Sequence, residues 1–208
     1  MLFIPIVLEL VAAVVATRTF KKYKLSNEKY FFHFLWYTFL VELLALVLQN
    51  IFEINASLLY AVFTFTSFMF YFGWYYRVLE RKVFKGLVVG FAILYAIIHI
   101  VAMVPGWFDG PKSYAFATGS ISLLILTLLH FYQLLKSDEV LIVKHKLSFW
   151  ISTALLLFYI GIIPLILLAS YLDIDGGNYK TILLILNVVL YGCYIIGFLW
   201  TKKEYNRF

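Results

Sequence analysis

The chain has 208 residues, of which 64% are hydrophobic, 20% aromatic and only 13% charged, with a mean hydropathy of +0.93. Soluble domains average about half apolar and about a quarter charged residues, so composition points to an integral membrane protein. It excludes a disordered chain, a nucleic-acid-binding module and a disulfide-stapled secreted domain, and the formal net charge of +6 reads as a signal of membrane topology.

A helix needs about 20 mostly apolar residues to cross roughly 30 Å of hydrocarbon, because backbone polar groups cannot be left unpaired in lipid. Seven stretches meet that test: residues 2–17, 30–50, 57–76, 87–104, 114–135, 147–171 and 179–200. The expected fold is therefore all-α, a polytopic bundle of seven transmembrane helices forming one domain over residues 1–208.

The first span starts without a basic segment, and no small-x-small cleavage site precedes a polar start, so it reads as retained and not as a removed signal peptide. It carries Glu9. On the second span Thr38, Glu42, Ala45 and Gln49 recur at i, i+4, i+7 and i+11, one continuous small or polar stripe. The third, dense in Phe and Tyr from Tyr60 to Tyr76, repeats the pattern with Tyr60, Thr64, Ser67, Tyr71 and Trp74. His99 lies on the fourth, Ser122 and His130 on the fifth, and Gly161 and Pro164 on the sixth. The seventh aligns Asn187, Tyr191 and Tyr194, with Gly192 and Gly197 nearby. Asn55, the cluster Pro105, Gly106, Gly110 and Pro111, and the run Asp175, Gly176, Gly177 and Asn178 break the chain between spans. Spans and tight loops take up nearly all of the sequence and leave no room in it for a soluble catalytic domain.

Short loops rich in Lys and Arg stay cytoplasmic. One set of loops holds Arg18, Lys21, Lys22, Lys24 and Lys29; Arg77, Arg81, Lys82 and Lys85; Lys136, Lys144 and Lys146; and Lys202, Lys203 and Arg207. The opposite set holds only Lys112 and Lys180. The expected orientation is N-terminus outside and C-terminus cytoplasmic. Trp36, Tyr37, Trp74, Tyr75, Tyr76, Trp107, Trp150 and Trp200 lie near helix ends, as interfacial aromatic belts require.

An ionisable group in hydrocarbon is costly, so Glu9 and Glu42 should face the bundle interior and find partners. At 1.5 Å rise per residue both lie roughly 10 to 12 Å below the outer surface, with Thr64, Ser122 and Asn187 at about that depth and His99 shallower. Helix contacts in membranes favour small and hydrogen-bonding residues. The expected site is an outer-half polar pocket, floored by Glu42 and Asn187, walled by aromatics and drawing on Glu9, Thr64, His99, Ser122 and Tyr191. The competing reading makes the same acids structural, holding helices together without a ligand.

No catalytic or metal site is apparent. The four histidines give no HxxxH or HExxH pattern, Cys193 is the single cysteine, and there is no GxSxG or Gly-rich phosphate loop. The run from Asp173 to Asn178 is too short for a calcium loop and reads as a turn. The last span offers no mid-helix lysine for a retinal Schiff base, and His33 and His130 share a depth without a spacing that marks a haem pair. No cofactor is implied.

The segment Phe149, Trp150, Ile151, Ser152, Thr153 leading to Phe158, Tyr159 and Gly161, with Asn187, Tyr191 and Gly192, is similar to small bacterial seven-helix membrane proteins. These resemble the membrane input regions fused to sensor kinases. The resemblance implies a non-enzymatic sensor in the bacterial inner (cytoplasmic) membrane that binds a small or lipophilic ligand from outside. Its signal would pass to a separate cytoplasmic partner through the basic loops and residues 201–208, with bending at Gly161, Pro164, Gly192 and Gly197. Asn55, Ala56 and Ser57 match the glycosylation sequon, which argues against a bacterial host. The alternatives are a proton-coupled carrier using Glu9 and Glu42, an intramembrane lipid-modifying enzyme, and an accessory subunit of a membrane complex. The bilayer is a partner in all of them, and nucleic acid in none.

Overall fold

The computed structural model describes residues 3–103, 113–137, 140–168 and 176–206. Seven α-helices follow in chain order: α1 (Phe3–Thr19), α2 (Phe31–Asn50), α3 (Ser57–Val78), α4 (Lys82–Met103), α5 (Ser113–Leu135), α6 (Leu147–Leu168) and α7 (Gly176–Trp200). Short 3-10 turns at Phe20–Lys22, Asn27–Tyr30, Val140–His145 and Lys203–Tyr205 link or extend them, and no strand occurs among the described residues.

Six of these helices, α2 through α7, are long and apolar enough to cross a membrane, which suggests a membrane location. The sequence led us to expect seven. α1 is the shortest, 17 residues over which Glu9 and Arg18 interrupt the apolar run, and its length of about 26 Å falls just under the hydrocarbon thickness. Helix starts differ too. α4 begins at Lys82, not at residue 87, because long lysine side chains near a helix end can carry their charge to the interface while the backbone stays helical. The turn residues Pro105, Gly106, Gly110 and Pro111, and with them Trp107, Lys112, Asp173, Asp175 and Arg207, lie outside the described residues.

Neighbour packing gives the architecture. α1 packs on α2 and α7, α2 on α3, α3 on α5, α5 on α6 and α6 on α7. These six helices close a ring. α4 packs on α3 and α5 alone among its principal contacts, so it lies against the outside of that pair. Its buried residues, Val88, Tyr95 and His99, are spaced i, i+7 and i+11 and form one stripe. The rest of its surface presents Val83, Leu87, Ile93, Ile97 and Ile100, which suits hydrocarbon as the surrounding solvent.

Small residues and aromatics fill the core between the helices. Ala12, Ala13 and Ala16 are fully buried on α1 and let its neighbours approach closely. Gly161 on α6 faces the Leu186 side chain of α7, and Gly197 on α7 lies against Trp150 and Leu147 of α6, so the α6–α7 seam is close at both ends. Phe31 is ringed by Phe34, Phe70, Tyr71, Trp74 and Tyr194. Trp74 and Tyr75, expected in the interfacial belt, are core residues at 3% and 0% exposure. Tyr76 and Trp200, at 46% and 57%, keep belt-like exposure.

One end of the ring gathers the basic loops. Lys22 Nζ donates to the Leu199 carbonyl at 2.8 Å, Asn27 Nδ2 to the Arg77 carbonyl at 3.4 Å, and the Lys202 amide to the His145 carbonyl at 3.2 Å. Gln133 bridges the α3–α4 turn by accepting from the Glu80 amide and donating to the Val78 carbonyl. The four lysine- and arginine-bearing segments named above therefore meet at one end, as alternating helix direction demands.

Candidate functional site: a carboxylate-bearing cavity inside the ring

A cavity of about 160 Å³ lies within the ring and is lined from α1, α2, α3, α5, α6 and α7. α4 contributes nothing to it. α1 supplies Glu9, and α2 supplies Thr38 and Glu42, one turn apart. Thr64, Ser67 and Tyr71 of α3 and Asn187, Tyr191 and Tyr194 of α7 enter at i, i+3 or i+4, and i+7, the spacing that keeps side chains on one helix face. Phe63, Phe68, Phe116, Phe158 and Tyr159 supply aromatic walls.

The polar groups are unevenly satisfied. Glu9 is 4% exposed; its Oε1 accepts from the Tyr191 hydroxyl at 3.0 Å, whereas Oε2 is buried without a partner. Glu42 Oε2 accepts from the Tyr60 hydroxyl at 3.0 Å. Tyr71 and Tyr194 pair through their hydroxyls at 3.0 Å. Thr38, Thr64 and Asn187 spend their donors on their own helices, at the Phe34, Tyr60 and Leu183 carbonyls. Ser67 Oγ is buried and unpaired. Among the described residues, no lysine, arginine or histidine lines the cavity, and none of them sets a fixed cation beside the two carboxyl groups there.

Of the residues singled out in the sequence, Glu9, Glu42, Thr64, Asn187 and Tyr191 line this one cavity. His99 does not. It lines a second cavity of about 370 Å³ among α3, α4 and α5, where Thr64 and Phe116 form the shared wall, and its Nδ1 pairs with the Tyr95 hydroxyl at 3.2 Å. Ser122 is buried and donates to the Thr118 carbonyl of its own helix; it lines neither cavity. Depth follows from rise per residue, but the direction in which a side chain points depends on which helices are neighbours. α4 sits outside the ring, and His99 goes with it.

Tyr60, Ser67, Tyr71 and Tyr194 belong to the site as well, and the helical stripes carried that signal. Gln49, at the end of the α2 stripe, is exposed. A third buried acid, Glu28, sits in the 3-10 turn before α2, where a polar neighbourhood in the sequence conceals it.

The histidine suggested for a haem pair has another setting. His130 Nδ1 meets Ser152 Oγ at 2.7 Å, and Tyr75 reaches Thr127 Oγ1 at 2.6 Å and Ser152 Oγ at 3.4 Å. All four side chains are buried, so this group joins α3, α5 and α6 without access to a substrate. His33 lines a groove between α2 and α3 instead. Among the described residues, no three His, Cys, Asp or Glu side chains gather in a metal-binding group.

Comparison with known proteins finds no matching family model, no matching curated protein and no matching solved structure. The class is set by the fold alone: an all-helical bundle of membrane type with a largely apolar cavity that carries two carboxyl groups.

Proposed function

We propose that this is a receptor-like seven-helix membrane protein that takes a small ligand into the ring cavity, with α1 as the seventh span, the N-terminus outside and the basic end cytoplasmic. The observation that carries the reading is Glu9: a buried carboxylate with one oxygen tied to Tyr191 and the other unpaired, on the wall of an internal cavity. Buried polar atoms are nearly always paired, and an intramembrane acid is expensive to keep. An acceptor without a partner, on a residue that lines a cavity, is what a ligand site requires.

The signalling part of the proposal rests on continuity. α7 contributes Asn187, Tyr191 and Tyr194 to the cavity and runs on to Trp200 at the basic end, where Lys22, His145 and the tail meet. A ligand that engaged Tyr191 would act on a helix joined to the proposed partner surface.

The test is a fragment screen on the purified, folded chain, read by thermal shift and by photocrosslinking of the hits. Crosslinks on α1, α2 or α7 beside Glu9, Glu42 or Tyr191 are expected. A folded protein that binds nothing from a broad panel overturns the reading. A proton-coupled carrier would use the same two acids, and separates from the receptor by solute flux into liposomes under a pH gradient, which the receptor does not give.

A further inference from the structure

We infer that the ring cavity selects a small organic cation, an amine or ammonium ion, held between Glu9 and Glu42 and enclosed by aromatic faces. The inference deepens the proposed function and rests on it. It follows from a census of what the cavity can still donate and accept.

Several of the donors are in use. Tyr191 and Tyr60 each give their hydroxyl proton to one carboxyl oxygen. Tyr71 and Tyr194 share one between themselves. Thr38, Thr64 and Asn187 donate to backbone carbonyls within their own helices. What remains is the acceptor capacity of Glu9 Oε2, buried and unpaired, and of the second oxygen of Glu42, beside the donors of Tyr159, of one member of the Tyr71–Tyr194 pair and of the second Asn187 N–H. Ser67 Oγ is the additional buried, unpaired group.

Such a surface discriminates by chemistry. An anion would meet two carboxyl groups and no basic side chain in the lining. A neutral molecule would find hydroxyl and amide partners but would leave both carboxyl groups without a counter-charge. A cationic N–H donor brings the counter-charge that both acids lack, and charge-assisted hydrogen bonds are about twice as strong as neutral ones. The walls add to the selection. Phe63, Phe68, Phe116 and Phe158 line the same volume, and ring faces attract ammonium groups when water is excluded.

Size limits the class. A volume of about 160 Å³ equals the share of roughly five water molecules in the liquid. The cation that fits is small, on the scale of a short alkylamine or a methylated ammonium.

The experiment titrates the full chain, purified in detergent or nanodiscs, with ammonium, methylammonium, trimethylammonium and tert-butylammonium chlorides. The neutral isostere tert-butanol and the anion isobutyrate serve as comparators, with calorimetry or ligand-observed NMR as readout. At least one ammonium ion is expected to bind about tenfold or more tightly than tert-butanol, with isobutyrate silent. Glu9→Gln and Glu42→Gln should each weaken it about tenfold, and Glu204→Gln, at the basic end, should not. If Glu9→Gln does not fold, Glu42→Gln and Ser67→Ala carry the same comparison. Tert-butanol or isobutyrate binding as tightly as the ammonium ions overturns the inference. So does the absence of any ammonium binding while neutral fragments still crosslink within the cavity, and in that case the receptor reading survives. Silence from both the ammonium ions and the fragment panel, in folded protein, overturns both.

Discussion

The Tyr191 hydroxyl donates to Glu9 Oε1 at 3.0 Å and so ties α7 to α1 across 182 residues of chain. It closes the ring, since α1 and α7 are the first and last helices and no loop joins them. Tyr191→Phe removes the donor and leaves Glu9 with two unpaired buried oxygens. A cost of about 1–3 kcal/mol is expected from stranding a buried acceptor, read as a fall in melting temperature or in resistance to denaturant in mixed micelles. Glu9→Gln in the same background should recover part of the loss, and a double-mutant cycle should return a coupling of about 0.5–3 kcal/mol. A coupling of zero would mean that the pair is not made.

Two buried serines should respond in opposite ways. Ser152 Oγ is the hydrogen-bond partner of His130 Nδ1 at 2.7 Å, so Ser152→Ala strands a ring nitrogen in the core at a cost of about 1–3 kcal/mol. Ser120 is equally buried, yet its Oγ has no partner. Ser120→Ala removes an unsatisfied group and should be neutral or stabilising by up to about 1 kcal/mol. Parallel thermal melts of the two variants give the comparison, and equal destabilisation would refute it.

Glycine substitutions on the α6–α7 seam should scale with what the new methyl meets. A Cβ at Gly197 would lie 2.5 Å from Trp150 Cβ, an atom fixed close to the α6 backbone. At Gly161 it would meet the far end of the Leu186 side chain, which can turn away. At Gly192 nothing lies within 4 Å. Gly197→Ala should therefore cost most, about 1–3 kcal/mol by overpacking, Gly161→Ala less, and Gly192→Ala nothing or a small gain from helix propensity. Melting temperatures of the three variants should fall in that order.

Helix number and most inward faces could be read from the sequence because both depend on local pattern: twenty apolar residues for a span, and 3.6-residue spacing for a stripe. Thr38 and Glu42, Thr64 and Ser67, and Asn187 and Tyr191 all enter the cavity as their spacing required. What the sequence could not show was which helices are neighbours. His99 has a suitable depth and chemistry, but the packing of α4 on the outer side of α3 and α5 takes it to another cavity. Trp74 and Tyr75 fail for a related reason. Position near a helix end suggests the interface, yet α3 presents that end to the ring, and both rings are buried there. The Tyr75, Thr127, His130 and Ser152 group joins three helices and has no signature along any one of them.

At the basic end a single side chain binds the tail to the loops. The two N–H groups of Asn206 Nδ2 are shared among Thr201 Oγ1 at 2.7 Å, the Lys202 carbonyl at 2.6 Å and the His145 carbonyl at 3.1 Å. Its Oδ1 accepts from the Leu147 amide at 3.0 Å, a group at the start of α6 that has no partner within its own helix. Asn206→Ala removes all of these at once, and Asn206→Asp keeps the acceptor while losing the donors. The alanine variant should lose about 1–3 kcal/mol and show faster amide exchange at Thr201 and Lys202, whereas the aspartate variant should retain protection at Leu147 alone. If exchange in the tail is unchanged in Asn206→Ala, the clamp does not hold it.

The proposed orientation rests on where the lysines gather. The loops that meet near His145, Lys22 and Arg77 carry most of the chain's 17 basic residues, and translocating that charge across a bilayer is disfavoured. In a Cys193→Ser background, Asn55→Cys on the α2–α3 turn should react with an impermeant maleimide in right-side-out vesicles. Lys203→Cys should react only after the membrane is opened. Both positions are exposed, so accessibility within the protein does not confound the comparison. The reverse pattern would invert the topology and place the basic end outside, and labelling of both sites in sealed vesicles would place them on the same face, which would remove one of α3 to α7 from the set of spans.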